Sequence, residues 1–241
     1  MLYKTRGIAI HSTKFSETSI IVRIYTERFG LRPYIIKGIR KEHSRIRPGL
    51  FQPLTLLDLA VYNKEKSSLQ TVREAAIAFP YQTIPFDILK SSVALYVSEL
   101  VYKSIREEEP NQGLFDFLWD FCTNLDSSKG SLNLIPLHFT VHLTRFLGIL
   151  PRQDYSPVNR IFNLKEGSFQ KGFPDHDFYL EDPLSGFLAR LLSSESAGME
   201  EPDIPSQARG ILLDKMLQYY RLHLSGFPGI RSHTILHTVL S

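Results

Sequence analysis

The chain has one cysteine in 241 residues. A single thiol cannot close an internal disulfide, and it excludes any site built from several thiolates. Cys122 lies in the apolar run Phe117–Cys122 (FLWDFC). It reads as a small buried hydrophobe, with a nucleophile as the minor alternative. No apolar run approaches the roughly 18 residues needed to span a bilayer. The opening, Met1 to Ile10, is broken by Lys4 and Arg6 and has no signal-peptide apolar core. These absences predict a soluble, cytoplasmic protein with no membrane partner. Catalytic signatures are missing too: no GxxxxGK[ST], no GxGxxG and no GxSxG. Ser168 to Lys171 matches SxxK by letters but falls at a predicted hairpin, not at a helix start. Glu107-Glu108-Glu109 reads as a solvated helix end, and no carboxylate cluster resembles a two-metal nuclease site. The expectation is a protein that is not an enzyme and needs no cofactor.

What is present is a well-provisioned core. Hydrophobic residues make up 43% and aromatics 12% of the chain, which argues against intrinsic disorder. The length suits one large domain or two ordinary ones. Charge is divided along the chain. Residues 1–80 hold 14 Lys and Arg against 6 Asp and Glu, and residues 81–241 hold 14 against 19. A basic segment joined to an acidic one implies a local polyanion contact. With no basic amphipathic helix in the basic part, nucleic acid is favoured over an anionic membrane.

The same boundary separates two kinds of periodicity. Tyr3–Ser12, Ser19–Glu27, Leu31–Gly38, Leu54–Asn63 and Leu69–Phe79 read as strands, clearest in SIIVRIYTE, where Ile20, Val22 and Ile24 share one face. Gly30 supplies a positive φ for the turn after Glu27. Five short strands in about 80 residues fit a small barrel, either an OB-fold or an SH3-like one. Beyond Pro80 the pattern turns helical, over Pro85–Glu108, Leu114–Leu125, Leu132–Leu147, Pro183–Ser194, Ser206–Leu224 and Ser232–Leu240. Gly148 suits a helix C′ position. Ile161–Leu164 and Ser168–Gln170 flank Lys165-Glu166-Gly167 as a hairpin. The expected domains are 1–80, a nucleic-acid-binding barrel, and 81–241, a helical domain with a hairpin insertion around 152–182.

The strongest local feature is Lys37–Arg47, KGIRKEHSRIR, in which Lys37, Arg40, Lys41, Arg45 and Arg47 face a single acid, Glu42. Without an apolar stripe it reads as a loop between the third and fourth strands. Guanidinium and ammonium groups on such a loop can pair with successive phosphates, each pairing releasing counterions. The bland reading, a solvated loop, is weakened by the basic segment around it. Arg6, Lys14 and Arg23 extend the candidate track. Tyr25, Tyr34 and Phe15 alternate with these charges and are candidates for base stacking, against burial in the barrel core. Metal signals are weak. His138 and His142, and His233 and His237, are spaced i, i+4, but neither pair has the glutamate of HExxH. His176 between Asp175 and Asp177 lacks a fourth ligand.

Residues 3–41 resemble the start of the RecO recombination-mediator family. Gly7 sits in the first strand, Glu17-Thr18 precedes the second, Glu27–Gly30 forms an E-x-x-G turn, and Lys37-Gly38 closes the third. Pro53–Leu59 (PLTLLDL), Phe146–Pro151 (FLGILP) and the Glu166-Gly167 hairpin look like further family segments. Tyr219–Leu240 is similar to the tail of Bacteroidetes-type members. The resemblance spans nearly the whole chain and is looser over 81–130. It implies an N-terminal five-stranded OB-fold followed by a mainly helical domain. It also implies binding of single- and double-stranded DNA, annealing of complementary strands, and loading of RecA onto strands coated by the single-strand-binding protein SSB. RecR and the acidic, Phe-ending SSB tail are the implied partners. For that tail, Arg145, Phe146 and Leu150 are the candidate cation and apolar slot. Many family members hold a structural zinc by CxxC pairs after the FLGxxP-like segment. Arg152–Pro157 (RQDYSP) has no cysteine, so zinc is not expected, and packing must hold that segment. The rival readings are an OB-fold adaptor for a protein or RNA, and a hydrolase with an unfamiliar site.

Overall fold

A computed structural model of the chain describes residues 1–39, 46–64, 67–105, 108–194 and 203–240. The chain forms two compact units, Met1–Gly130 and Ser131–Ser241.

The first unit begins with five strands: β1 (Leu2–Lys14), β2 (Ile20–Thr26), β3 (Gly30–Ile36), β4 (Leu56–Tyr62) and β5 (Gln70–Ile77). They close into a barrel in the order β1-β2-β3-β5-β4, with only β3 and β5 parallel. Five strands in this order are the OB-fold, so the SH3-like alternative falls away. β1 is long enough to serve two neighbours. Leu2–Ile8 pairs with β4, and Gly7–Lys14 pairs with β2. Inward-facing Ile20, Val22, Ile24, Tyr34, Ile36, Leu57, Leu59, Val61 and Val72 fill the interior. Gly7 lies where the two pairings overlap. A Cβ there would stand 2.6 Å from Leu59 and 2.9 Å from Ile24, so only glycine lets the strands approach this closely. Gly30 takes φ +66 at the β2–β3 turn, as the ERFG motif predicts.

Two helices complete this unit, α1 (Ile88–Ser104) and α2 (Gln112–Ser127). Asp87 caps α1 by accepting from the Leu89 and Lys90 amides, and Asn111 caps α2 by accepting from Leu114. A buried polar knot joins the end of α2 to the turn before α1. The Asp126 carboxylate accepts from the backbone amides of Gln82, Thr83 and Ile84, each at 2.9 Å. The Lys90 ammonium donates to Thr83 Oγ1 and to the Asp126 and Ser128 carbonyls, each at 2.7 Å. All three ammonium protons are used, and two of them satisfy helix-end carbonyls.

The second unit carries α3 (Ile135–Leu143), a small sheet of β6 (Ile161–Asn163), β7 (Ser168–Gln170) and β8 (Tyr179–Leu180), then α4 (Leu184–Ser193), α5 (Ser206–His223) and α6 (His233–Leu240). The third helix is shorter than its apolar pattern predicts. After Leu143 the backbone tightens to i→i+3 bonds, Arg145 to His142 and Phe146 to Leu143, and turns at Gly148 with φ +69. β8 pairs with β6 and adds a third strand to the predicted hairpin.

The knot generates a pH prediction. Burial raises the Asp126 pKa, but the amide hydrogen bonds outweigh it and hold the group below the usual carboxylate range. A depressed folded pKa stabilises above the unfolded value and is lost as pH falls through the folded one. Asp126→Asn should therefore cost about 1–3 kcal/mol at pH 7 and flatten the loss of stability below pH ~4. Urea melts from pH 7 downward read both effects.

Candidate nucleic-acid interface

The register sets which cations share a place on the barrel. Lys14 on β1 pairs with Ile20 on β2, and Ile20 pairs with Ile36 on β3, one residue before Lys37. Lys14 and Lys37 therefore stand at one rim, two strands apart, or roughly 10 Å. Both are exposed. The β1–β2 connection at the same rim is tight, with the Phe15 and Ser16 amides both donating to the Ser19 carbonyl. It presents Phe15 with 57% of its surface exposed.

The basic segment is fastened to the barrel from both sides. Ile39 is buried in the barrel core, Ile46 and Leu50 pack against it, and Phe51 closes the 3-10 turn Pro48–Phe51 with 3% exposure. Arg47 caps that turn and is exposed. Arg40, Lys41 and Arg45 lie outside the described residues. Among the described residues, no carboxylate forms an ion pair with Lys14, Lys37 or Arg47.

The other candidates are placed differently. Arg23 points outward from the middle of β2, with its guanidinium 5.8 Å from the Tyr102 ring of α1. His11 stacks on the same ring at 4.3 Å. Arg6 is not a free cation. It binds Glu27 through two hydrogen bonds, of 3.1 and 2.7 Å, and lies over the Phe115 and Trp119 rings at 5.1 and 4.8 Å. This contact raises the Arg6 pKa and lowers that of Glu27. Tyr25 and Tyr34 are corrected as stacking rings, because both are buried, at 1% and 0% exposure. Tyr34 faces the barrel interior opposite Val22. Tyr25 faces outward, but α2 covers it, and its hydroxyl donates to the Asn111 carbonyl. Phe15 is the ring of the three that solvent reaches.

Sequence reasoning missed a second cationic group. Arg32 pairs with inward-facing Ile24, yet sits where the barrel opens, donating to the Phe29 carbonyl and Asn63 Oδ1. Arg28 lies 4.6 Å from the Tyr3 ring, which meets Phe29 edge-on. The available signal was a cation at an inward position of an alternating strand.

In the second unit, Arg145 and Leu150 are exposed and Phe146 is half-buried, all within the turn after α3. A cleft of ≈ 340 Å³ lies elsewhere, lined by Pro136 and Leu137 of α3, Arg209, Leu213 and Asp214 of α5, and Leu236 of α6. The cysteine-free segment is held by hydrogen bonds. Asp154 accepts from the Phe169 amide, Gln153 donates to the Leu192 carbonyl, and the Tyr155 hydroxyl donates to Asp182. These side chains do not fit a thiolate zinc site. The His138 and His142 rings lie 4.1 Å apart and are tilted by 40° to each other. Burial lowers both pKa values, that of His142 to about 4. No group of three or more metal-binding side chains occurs among the described residues. Nor is any described helix long and apolar enough to cross a membrane.

The chain is similar to known proteins along almost its whole length. The family model described as Recombination protein O N terminal matches residues 1–81, and that described as Recombination protein O C terminal matches residues 85–231. Three similar relatives are each named DNA repair protein RecO. One from Bacteroides fragilis is 33% identical over 98% of both chains. One from Phocaeicola vulgatus is 31% identical and one from Flavobacterium johnsoniae 34% identical, each over 100% of both chains.

The two environments of basic residues should separate on mutation. Arg6→Ala should lower the melting temperature, because it strands Glu27 and uncovers Trp119, while changing affinity for single-stranded DNA less than twofold. Lys37→Glu with Arg47→Glu should leave the melting temperature unchanged and weaken DNA binding at least tenfold. Thermal melts and fluorescence anisotropy on the same preparations check both.

Proposed function

Because the chain belongs to the RecO family of DNA repair proteins, we propose that it mediates recombination by binding DNA strands on its amino-terminal barrel and annealing them. The observation that carries this reading is the exposed pair Lys14 and Lys37 at one rim of the barrel, beside exposed Phe15, with no carboxylate ion-paired to either among the described residues; exposed Arg47 follows on the basic segment. Arg40, Lys41 and Arg45 extend it by sequence, and Arg23 lies on the adjoining outer face.

The mechanism is electrostatic. Phosphates displace condensed counterions when they meet Lys and Arg, so binding draws on counterion release and carries no sequence preference. Phe15 takes a base by stacking, which any base can supply. Neutralised strands repel each other less and can pair. No covalent chemistry is needed, so the protein acts by binding and not as an enzyme. Double-stranded DNA uses the same phosphate contacts without the stacking. Single strands coated by SSB are in turn loaded with RecA, with RecR and the SSB tail as partners in the handover.

For the SSB tail, Arg145, Phe146 and Leu150 supply a cation beside apolar surface. The cleft at Arg209 is the second place with that chemistry, although Asp214 also lines it. A fluorescent acidic peptide ending in Phe separates the two. Arg145→Ala should weaken its binding at least fivefold, and loss on Arg209→Ala alone would move the site to the cleft.

For DNA, engagement of all five cations of the Lys37–Arg47 segment predicts a log–log salt slope near −3.5, at ~0.7 per phosphate for single strands. Arg45→Glu with Arg47→Glu should reduce the slope by roughly 1.4. Phe15→Ala should weaken single-strand binding about 5- to 100-fold and leave duplex binding unchanged. Salt-titrated anisotropy reads all three. Tight binding of a protein or RNA with no DNA affinity would favour the adaptor reading instead.

A further inference from the structure

The barrel has a second cationic rim, at the end away from Lys14 and Lys37. The β2–β3 turn, the start of β1 and the end of β4 meet there, since Thr26 pairs with both Gly7 and Gly30, and Leu2 pairs with Tyr62. Arg28 is exposed and lies 4.6 and 5.8 Å from the Tyr3 and Phe29 rings. Arg32 lies 6.0 Å from the Phe29 ring and is held by two neutral oxygens, the Phe29 carbonyl and Asn63 Oδ1. Lys64 follows Asn63 and is exposed. The nearby acid Glu27 is committed to Arg6. The backbone of Glu108 and Glu109 passes beside Gly30. Even so, no ion pair joins a carboxylate to Arg28, Arg32 or Lys64 among the described residues.

We propose that this rim is a second strand-binding surface, on which Arg28, Arg32 and Lys64 take phosphates while the guanidinium planes over Tyr3 and Phe29 take bases. The proposal rests on the first rim being a DNA site, as argued above. Its chemistry is that of a nucleic-acid strand. Planar guanidinium groups bind phosphate in a fork and stack on bases. An acidic peptide would need an apolar slot beside the cations, but the Tyr3 and Phe29 rings are packed down onto the barrel core.

The spacing gives the second surface a purpose. Tyr3 and Lys14 are eleven residues apart on β1, up to about 36 Å at ~3.3 Å per residue, reduced by the bend of the strand. That exceeds the ~8 Å Debye length at physiological salt, so strands on the two rims hardly repel one another. Two strands on one chain meet at an effective concentration set by the tether rather than by bulk solution, on the order of millimolar for a short one. Their unbound flanks can then pair.

The test uses the full chain and two non-complementary oligonucleotides carrying a donor and an acceptor dye. The unaltered protein should saturate at two strands per chain and bring the dyes into energy transfer. Arg28→Ala with Lys64→Ala removes two exposed side chains and leaves the Arg32 hydrogen bonds in place. It should lower saturation from two strands to one and cut energy transfer and annealing rate about tenfold, while changing the affinity for the first strand no more than twofold. In the unaltered protein, ultraviolet cross-linking at strand excess should label peptides containing residues 1–6 or 27–32. Unchanged energy transfer in the variant, or no label in those peptides, overturns the proposal. So does a variant that loses an acidic-peptide probe but still bridges two strands, because the rim is then a protein-docking surface. An unaltered protein that binds one strand and never bridges contradicts this proposal alone. One that binds no strand contradicts the reading beneath it.

Discussion

β1 hydrogen-bonds along both edges, and the rest of the first unit depends on that double pairing. One half of the strand closes against β4 and the other against β2, with Gly7 and Ile8 shared between them. The overlap is possible because Gly7 has no side chain to drive into Leu59 and Ile24. Closure leaves the barrel no free edge, and it fixes two rims whose loops are tied to the same core. A cation at the end of a strand in such a barrel holds its place because the register does. Lys14 and Lys37 come to one rim for that reason, although they are 23 residues apart in sequence.

Much of this fold is legible in the amino-acid sequence. Five period-two segments gave five strands, and the ERFG turn gave a glycine at positive φ. The charge division between residues 1–80 and the remainder is what makes the barrel the proposed polyanion-facing part. What the sequence could not supply was the partner of each side chain. Arg6 and Lys14 look alike as letters on one strand, yet Arg6 meets Glu27 and Trp119 while Lys14 meets solvent. Tyr25 lies on the outward face by alternation, and only the packing of α2 over that face removes it from solvent. Short β8 carries no period of its own and exists because β6 offers it an edge.

The second unit makes the complementary point about polar contacts. A segment without cysteines, Arg152–Pro157, is held by hydrogen bonds from Gln153, Asp154 and Tyr155, each to a different part of the fold. A buried or half-buried polar group keeps its place when its partner is fixed. The Asp126–Lys90 knot follows the same rule in the first unit. There it joins the end of α2 to the turn after the barrel, so the helices and the strands of that unit support one another.

The central claim is that an exposed cationic rim of the barrel receives the polynucleotide backbone. Backbone amide shifts of the isotopically labelled protein, followed as a short single strand is added at low salt, test it most directly. With no more than one strand per chain, shifts should concentrate in residues 14–19 and 37–47 and collapse when salt is raised. Shifts confined to residues 131–241, or insensitive to salt, would contradict the account.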